Sequence, residues 1–133
     1  MGKKKQSVKI LITEDELHTR NTLSLVLESA GYEVKTADNG KESLDIILKH
    51  KKGSDPFDLL LLDIEMAGLS GLQMLDELKK KGVNLPTIVI TGFSDQQTLK
   101  KIRGRGCKEM LIKPFSPEEV TAAVEKVLGK SGR

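Results

Sequence analysis

The sequence predicts an α/β fold: a mostly parallel sheet covered by helices on both faces. Three observations lead there. Five β-rich runs alternate with five segments of helical periodicity. One run, Leu59, Leu60, Leu61 and Leu62, is apolar without interruption, the pattern of a strand buried on both faces. The chain has 133 residues, a length that fits one domain. Right-handed crossovers then restrict how the units can be wound.

Residues 8–13 form the first β-rich run. Leu23, Val26, Leu27 and Ala30 recur at helical spacing after it, and Gly31 is a natural residue to follow a helix end. Residues 32–36 read as the second strand. Asn39 with Glu42 three positions on marks a helix start, and Leu44, Ile47 and Leu48 give that helix its apolar face. Residues 53–56, Gly-Ser-Asp-Pro, are a loop, and the leucine run follows as the third strand. Leu72, Leu75 and Leu78 line a third helix that ends near Gly82. Residues 87–91 are a fourth strand, residues 94–103 a helix with little apolar face beyond Leu99 and Ile102, and residues 110–112 a short fifth strand. Ser116, Pro117 and Glu119 stand as N-cap, N1 and N3 of a last helix lined by Val120, Ala123, Val124, Val127 and Leu128.

Composition removes several function classes. No apolar run is long enough to cross a membrane, and the basic N-terminus is followed by no apolar core of a signal peptide. The lone Cys107 excludes an internal disulfide and any Cys-x-x-Cys metal knuckle. These features point to a cytoplasmic protein. The net charge of +3 belongs to the tails: setting aside Lys3, Lys4, Lys5, Lys130 and Arg133 leaves 17 basic residues against 19 acidic ones. With no Trp, one Tyr and three Phe, the body lacks the basic stripe and stacking rings of a nucleic-acid binder. Gly129-Lys130-Ser131 imitates the end of a P-loop, but Val124 holds the required upstream glycine position; Gly104 and Gly106 lack a third glycine, since position 109 is Glu. His18, His50 and the lysines at 49–52 and 79–81 carry no ligand spacing and read as solvated helix residues, and Cys107 as a small packing residue.

In a sheet of this kind the ligand crevice lies outside the carboxyl ends of the strands. Those ends are chemically distinctive. Strand one runs into Glu14, Asp15 and Glu16, strand three ends in Asp63, strand four in Thr91 and strand five in Lys113. Carboxylates about 4 Å apart repel by roughly 4 kcal/mol at an effective dielectric near 20, so Glu14, Asp15 and Asp63 need a compensating cation. Lys113 supplies one charge. All-oxygen ligation with few carboxylates suits Mg²⁺ (or Mn²⁺), which also takes phosphate oxygens. A carboxylate beside such an ion, an ammonium and a hydroxyl can attack phosphorus to give an aspartyl phosphate.

At these residues the chain resembles the receiver domain of two-component response regulators. The resemblance covers about residues 7–129 and rests on four separated motifs: Glu14-Asp15, LLLLDIEM ending its strand at Asp63, ITG with Thr91, and KPF with Lys113. It implies a flavodoxin-like (βα)5 doubly wound parallel five-stranded sheet of strand order 2-1-3-4-5. Residues 8–129 would be the receiver, flanked by a basic tail at 1–7 and a second tail at 130–133. The resemblance further implies Asp63 as phosphoacceptor and Lys113 and Thr91 as its catalytic companions. Asp15, Asp63 and the carbonyl of Glu65 would ligate the metal, with Glu14 acting through water. The Lys113–Pro114 bond would be cis. The donor would be a phosphohistidine on a sensor histidine kinase or a histidine phosphotransfer protein. The face of helix four, strand five and helix five would be the partner surface or a homodimer surface.

Three positions depart from the family pattern. Ala67 stands where a proline is usual, Gly92 where Ala is common, and Met110 where an aromatic switch ring is expected. Glu65 and Phe93, two residues after the acceptor and the hydroxyl, are expected to overhang the site and to tune the lifetime of the phosphoryl group. Such a chain catalyses only its own phosphorylation and dephosphorylation and is otherwise no enzyme. Two other readings compete: a receiver-fold interaction module not regulated by phosphorylation, and a phosphohydrolase with an aspartate nucleophile.

Overall fold

The structure, a computed structural model, describes residues 7–92, 95–107 and 109–129. The N-terminal tail up to residue 6, Phe93, the expected helix start at Ser94 and the tail at 130–133 lie outside the described residues. Ten elements alternate strictly: β1 Lys9–Thr13, α1 Leu17–Ser29, β2 Glu33–Ala37, α2 Gly40–Lys52, β3 Leu59–Asp63, α3 Gly71–Lys80, β4 Thr87–Thr91, α4 Gln96–Arg103, β5 Glu109–Ile112 and α5 Pro117–Leu128. All neighbouring strands are parallel, in the order β2-β1-β3-β4-β5.

The strand sequences divide their side chains between two cores. Ile10, Ile12, Leu59, Leu61, Ile88 and Ile90 face Leu23 and Leu27 of α1 and Val120, Ala123 and Val124 of α5. Leu11, Leu60, Leu62 and Val89 face the opposite way, onto Ile47 of α2, Met74, Leu75 and Leu78 of α3 and Ile102 of α4. The period of two along a strand makes that division, and it explains why β3 must be apolar at every position. Complete burial of a Leu or Ile side chain stabilises the fold by about 1.5–3 kcal/mol over leaving it exposed.

Helix starts follow from local chemistry. Asn39 caps α2 by accepting from the Glu42 amide at 2.8 Å, while the Glu42 carboxylate takes the Asp38 N–H. Ser70 with Gln73, and Ser116 with Glu119, form reciprocal capping boxes on α3 and α5. Asp95 caps α4 by accepting from the Thr98 N–H. β2 lies one residue later than expected, at 33–37 instead of 32–36.

At the start of β1 the structure adds an ion pair that the sequence did not announce, and near β5 it places Cys107 as expected. Lys9, near-fully buried, places its ammonium on Asp55, within 3.1 Å of His50 Nδ1 and 5.2 Å from the Phe57 ring centre. Cys107 is buried in the core of α2, α3 and α4, as a packing residue would be.

Candidate functional site

The register of the sheet assembles the site. Thr13 lies opposite Leu62, so the next residues, Glu14 and Asp63, emerge side by side. Thr91 lies opposite Ile112, so Lys113 follows at the same edge. Ladder bonds continue past the strand ends and fix these exits: Glu14 N–H donates to Ala37 O, Ile64 N–H to Ile90 O and Lys113 N–H to Thr91 O, at 3.1, 3.1 and 2.9 Å. The Lys113–Pro114 peptide bond is cis, as the resemblance implies.

Asp63 is 1% exposed. Its Oδ1 accepts the Glu65 N–H at 2.8 Å, and its Oδ2 lies 3.5 Å from Lys113 Nζ. The same ammonium stands 3.5 Å from Glu14 Oε1. Lys113 therefore bridges two buried carboxylates. Burial opposes its charge, but Asp63 and Glu14 outweigh that and hold it above the ordinary lysine value. Glu14 goes the other way. Burial first, then the close approach of the Asp63 carboxylate, raises its carboxyl to about 7. Its Oε2 accepts the Glu16 N–H at 3.1 Å, while Oε1 accepts no hydrogen bond among the described residues.

The three consecutive acids after β1 separate in role. Glu14 turns inward, and Asp15 is exposed at the mouth of the site. Glu16 turns away to cap α1, accepting from the Thr19 hydroxyl at 2.7 Å and amide at 2.8 Å and from the His18 amide; these bonds pull it down to about 2. Thr91 is buried, and its hydroxyl donates to Glu65 Oε2 at 3.2 Å. The Gly92 N–H reaches both oxygens of the same carboxylate at 3.3 Å. Thr91 is thus joined through the Glu65 side chain to the loop that follows Asp63.

Whether a metal ion suits this place is tested by the donor set. Glu14, Asp15 and Asp63 each offer a carboxylate oxygen, and the three oxygens lie within 4.8 Å of one another. Glu14 Oε1 is buried and accepts no hydrogen bond among the described residues, although the Lys113 ammonium stands 3.5 Å away. Oxygen donors only, with a buried acceptor that lacks a hydrogen bond among the described residues, fit a small hard cation.

Several supporting residues escaped the sequence reading. Gly71, first residue of α3, touches the acceptor loop so closely that a Cβ there would lie 2.5 Å from Ile64 Cα and 2.7 Å from Asp63 O. Gly40, first residue of α2, stands in the same relation to Leu69 O, at 2.5 Å. Thr13 and Ser43 share a buried hydroxyl–hydroxyl bond of 2.6 Å between β1 and α2. Arg20 of α1 donates to the Glu14 carbonyl at 2.9 Å and holds that turn from outside. A serine in the helical apolar stripe, at position 43 between Gly40 and Ile47, was the available signal for one of these.

The family model of the response regulator receiver domain matches residues 10–125. Sporulation initiation phosphotransferase F of Bacillus subtilis is 32% identical over 120 residues, covering 90% of this chain and 93% of that protein. The cell cycle transcriptional regulator CtrA of Caulobacter vibrioides is 32% identical over 124 residues, 93% of this chain but 52% of the regulator. The chain thus spans about half the length of such transcriptional regulators. Among solved structures, chemotaxis protein CheY4 of Vibrio cholerae superposes with a TM-score of 0.82 at 27% identity, over 92% of this chain and 99% of that one. With the sheet order and the acidic pocket of Glu14, Asp15 and Asp63 already in place, these likenesses settle the family: the chain belongs to the receiver domains of two-component response regulators.

Proposed function

We propose that Asp63 is the phosphoacceptor, taking its phosphoryl group from a phosphohistidine on a sensor histidine kinase or a histidine phosphotransfer protein. The observation that carries this is the pairing at Asp63: one oxygen is fixed by the Glu65 amide while the other faces Lys113 Nζ at 3.5 Å. A carboxylate so held cannot rotate away from an approaching phosphorus atom. A bond forms from an Asp63 oxygen to phosphorus as the phosphorus–nitrogen bond to the donor breaks, and the imidazole keeps the electron pair. In the later discharge, water attacks phosphorus and gives up a proton to solvent, the aspartyl oxygen leaves as carboxylate and inorganic phosphate departs.

Lys113 neutralises charge on the transferring group and on the carboxylate it leaves behind. Thr91 donates its hydroxyl to a phosphoryl oxygen once one is present. Asp15, Asp63 and the Glu65 carbonyl would hold Mg²⁺ or Mn²⁺, with Glu14 acting through water. That ion supplies Lewis-acid neutralisation of the phosphoryl oxygens. Residues 8–129 act as the switching unit, with the flanking residues as tails. The reading assigns the chain to the cytoplasm, the compartment that holds such donors.

Output passes through α4, β5 and α5, to a partner or a second copy. Met110 sits on β5, partly buried against the core that contains Val89 and Ile102. A flexible thioether in place of a ring gives that face a softer response than a two-position aromatic would.

The test is incubation with Mg²⁺ and acetyl phosphate, read by intact mass, and with beryllofluoride, read by amide spectra. One phosphoryl group is expected on the wild type and none on Asp63→Asn. Steady release of phosphate from an aryl phosphate would indicate a hydrolase instead, and a protein that takes up no phosphoryl group would be an interaction module.

A further inference from the structure

Glu65 ties the acceptor loop to the end of β4 in a way the phosphoryl step has to undo. Its backbone N–H donates to Asp63 Oδ1, while its carboxylate collects the Thr91 hydroxyl at 3.2 Å and the Gly92 N–H at 3.3 Å. The Thr91 hydroxyl is the group that, under the proposed function, donates to a phosphoryl oxygen, and the Gly92 N–H is the next donor along the same strand end. The carboxylate lies against the backbone here: a Cβ at position 92 would stand 3.5 Å from Glu65 Oε1, an ordinary van der Waals contact. Glu65 itself is exposed, so its side chain can swing out without opening either core.

We propose that the Glu65 carboxylate is a built-in occupant of the seat for the phosphoryl oxygens, and that phosphorylation of Asp63 proceeds by displacing it. The proposal rests on the receiver reading of Asp63. Two anionic groups cannot share the Thr91 and Gly92 donors, because each would be left with fewer bonds and both would carry charge at short range. The resting protein therefore holds its Thr91 hydroxyl in place with its own carboxylate. A donor has to supply an oxyanion that binds these donors better than Glu65 does. Once displaced, the carboxylate stands free beside the phosphoryl group and disfavours it, so the same residue slows charging and limits how far charging proceeds.

This differs from simple repulsion by a nearby charge. Repulsion depends on charge alone; occupancy depends also on the acceptor atoms. Glu65→Gln removes the charge but keeps one acceptor oxygen. Glu65→Ala removes both. The experiment measures the rate of phosphorylation by acetyl phosphate with Mg²⁺, the midpoint for beryllofluoride, and the Gly92 amide resonance and its hydrogen exchange in the unphosphorylated protein. Glu65→Ala is expected to be phosphorylated roughly tenfold faster than wild type, the loss of charge-assisted bonds to two donors. Glu65→Gln is expected to fall between. In Glu65→Ala the Gly92 amide is expected to shift and to exchange faster before any phosphoryl group is added, a change that a purely long-range charge effect does not produce. A wild type that resists acetyl phosphate while Glu65→Ala accepts it also supports occupancy. Rates for both variants within about twofold of wild type, or an unmoved Gly92 amide in Glu65→Ala, overturn the occupancy while leaving Asp63 as acceptor. If no form takes a phosphoryl group or responds to beryllofluoride, the receiver reading fails and the occupancy falls with it.

Discussion

Glu14 is buried, and one of its carboxylate oxygens accepts no hydrogen bond among the described residues. Its folded-state value, about 7, lies above the ordinary 4.5, so the folded metal-free protein prefers this group neutral. The sign follows. Any stability that depends on its protonation is complete below pH 4.5, declines as pH rises, and is gone above about 7. A cation reverses the preference, because it requires the carboxylate. Thermal unfolding of metal-free protein is expected to show a midpoint that falls between pH 5 and pH 8, whereas apparent Mg²⁺ affinity rises over that interval. Glu14→Gln should flatten the first trend. A metal-free midpoint that climbs from pH 5 to pH 8 would contradict the inward placement of this side chain. The residue types alone showed only that acidic groups gather here; the choice of Glu14 and Asp15 over Glu16 came from the resemblance. Three consecutive carboxylates share one sequence signal, and only the turn that carries Glu16 to the α1 amides decides among them.

At the scale of elements, most of the architecture was legible because each unit repeats one rule: an apolar strand, a charged exit, a capped helix. β3 and β4 end where their apolar runs end, at Asp63 and Thr91. β2 was misplaced by one residue because an edge strand of sequence EVKTA, mostly exposed, offers no clean alternation to fix its limits. Gly40 and Gly71 were illegible for another reason. A glycine in sequence usually announces a turn, whereas here each begins a helix and permits backbone contact with the acceptor loop. That difference makes a test. Gly71→Ala places a methyl group against Ile64 Cα and Asp63 O, both backbone atoms that cannot yield alone. A helix-interior Gly→Ala change ordinarily stabilises by about 0.5–1 kcal/mol. Here the expected outcome is a loss of roughly 1–3 kcal/mol, the cost of overpacking, with a moved Glu65 amide resonance and slower phosphorylation of Asp63. A stabilised variant with an unmoved Glu65 amide would show that α3 does not press on the loop.

At the scale of the whole molecule, the site belongs to no single element. Glu14 and Asp15 follow β1, Asp63 ends β3, Thr91 ends β4 and Lys113 follows β5, and the sheet that sets their spacing is clamped between two separate cores. Like charges are held together at one edge by apolar burial elsewhere. An ion that binds among them therefore stabilises the native arrangement of four strand ends at once and has no equivalent place in the unfolded chain. Linkage gives the magnitude: at a free concentration of one hundred times its dissociation constant, a ligand of the native state adds about 2.7 kcal/mol. For a domain of this size that corresponds to a rise of roughly 10 °C in the unfolding midpoint. Mg²⁺ is expected to produce such a rise in the wild type at neutral pH, in a single cooperative transition, because both cores share the same sheet. Asp15→Asn removes an exposed carboxylate that takes part in neither core, so its midpoint without Mg²⁺ should equal or exceed that of the wild type while the Mg²⁺ increment largely disappears. An undiminished increment in Asp15→Asn would remove that residue from the ligand set, and no increment in the wild type at saturating Mg²⁺ would remove the ion from the site altogether.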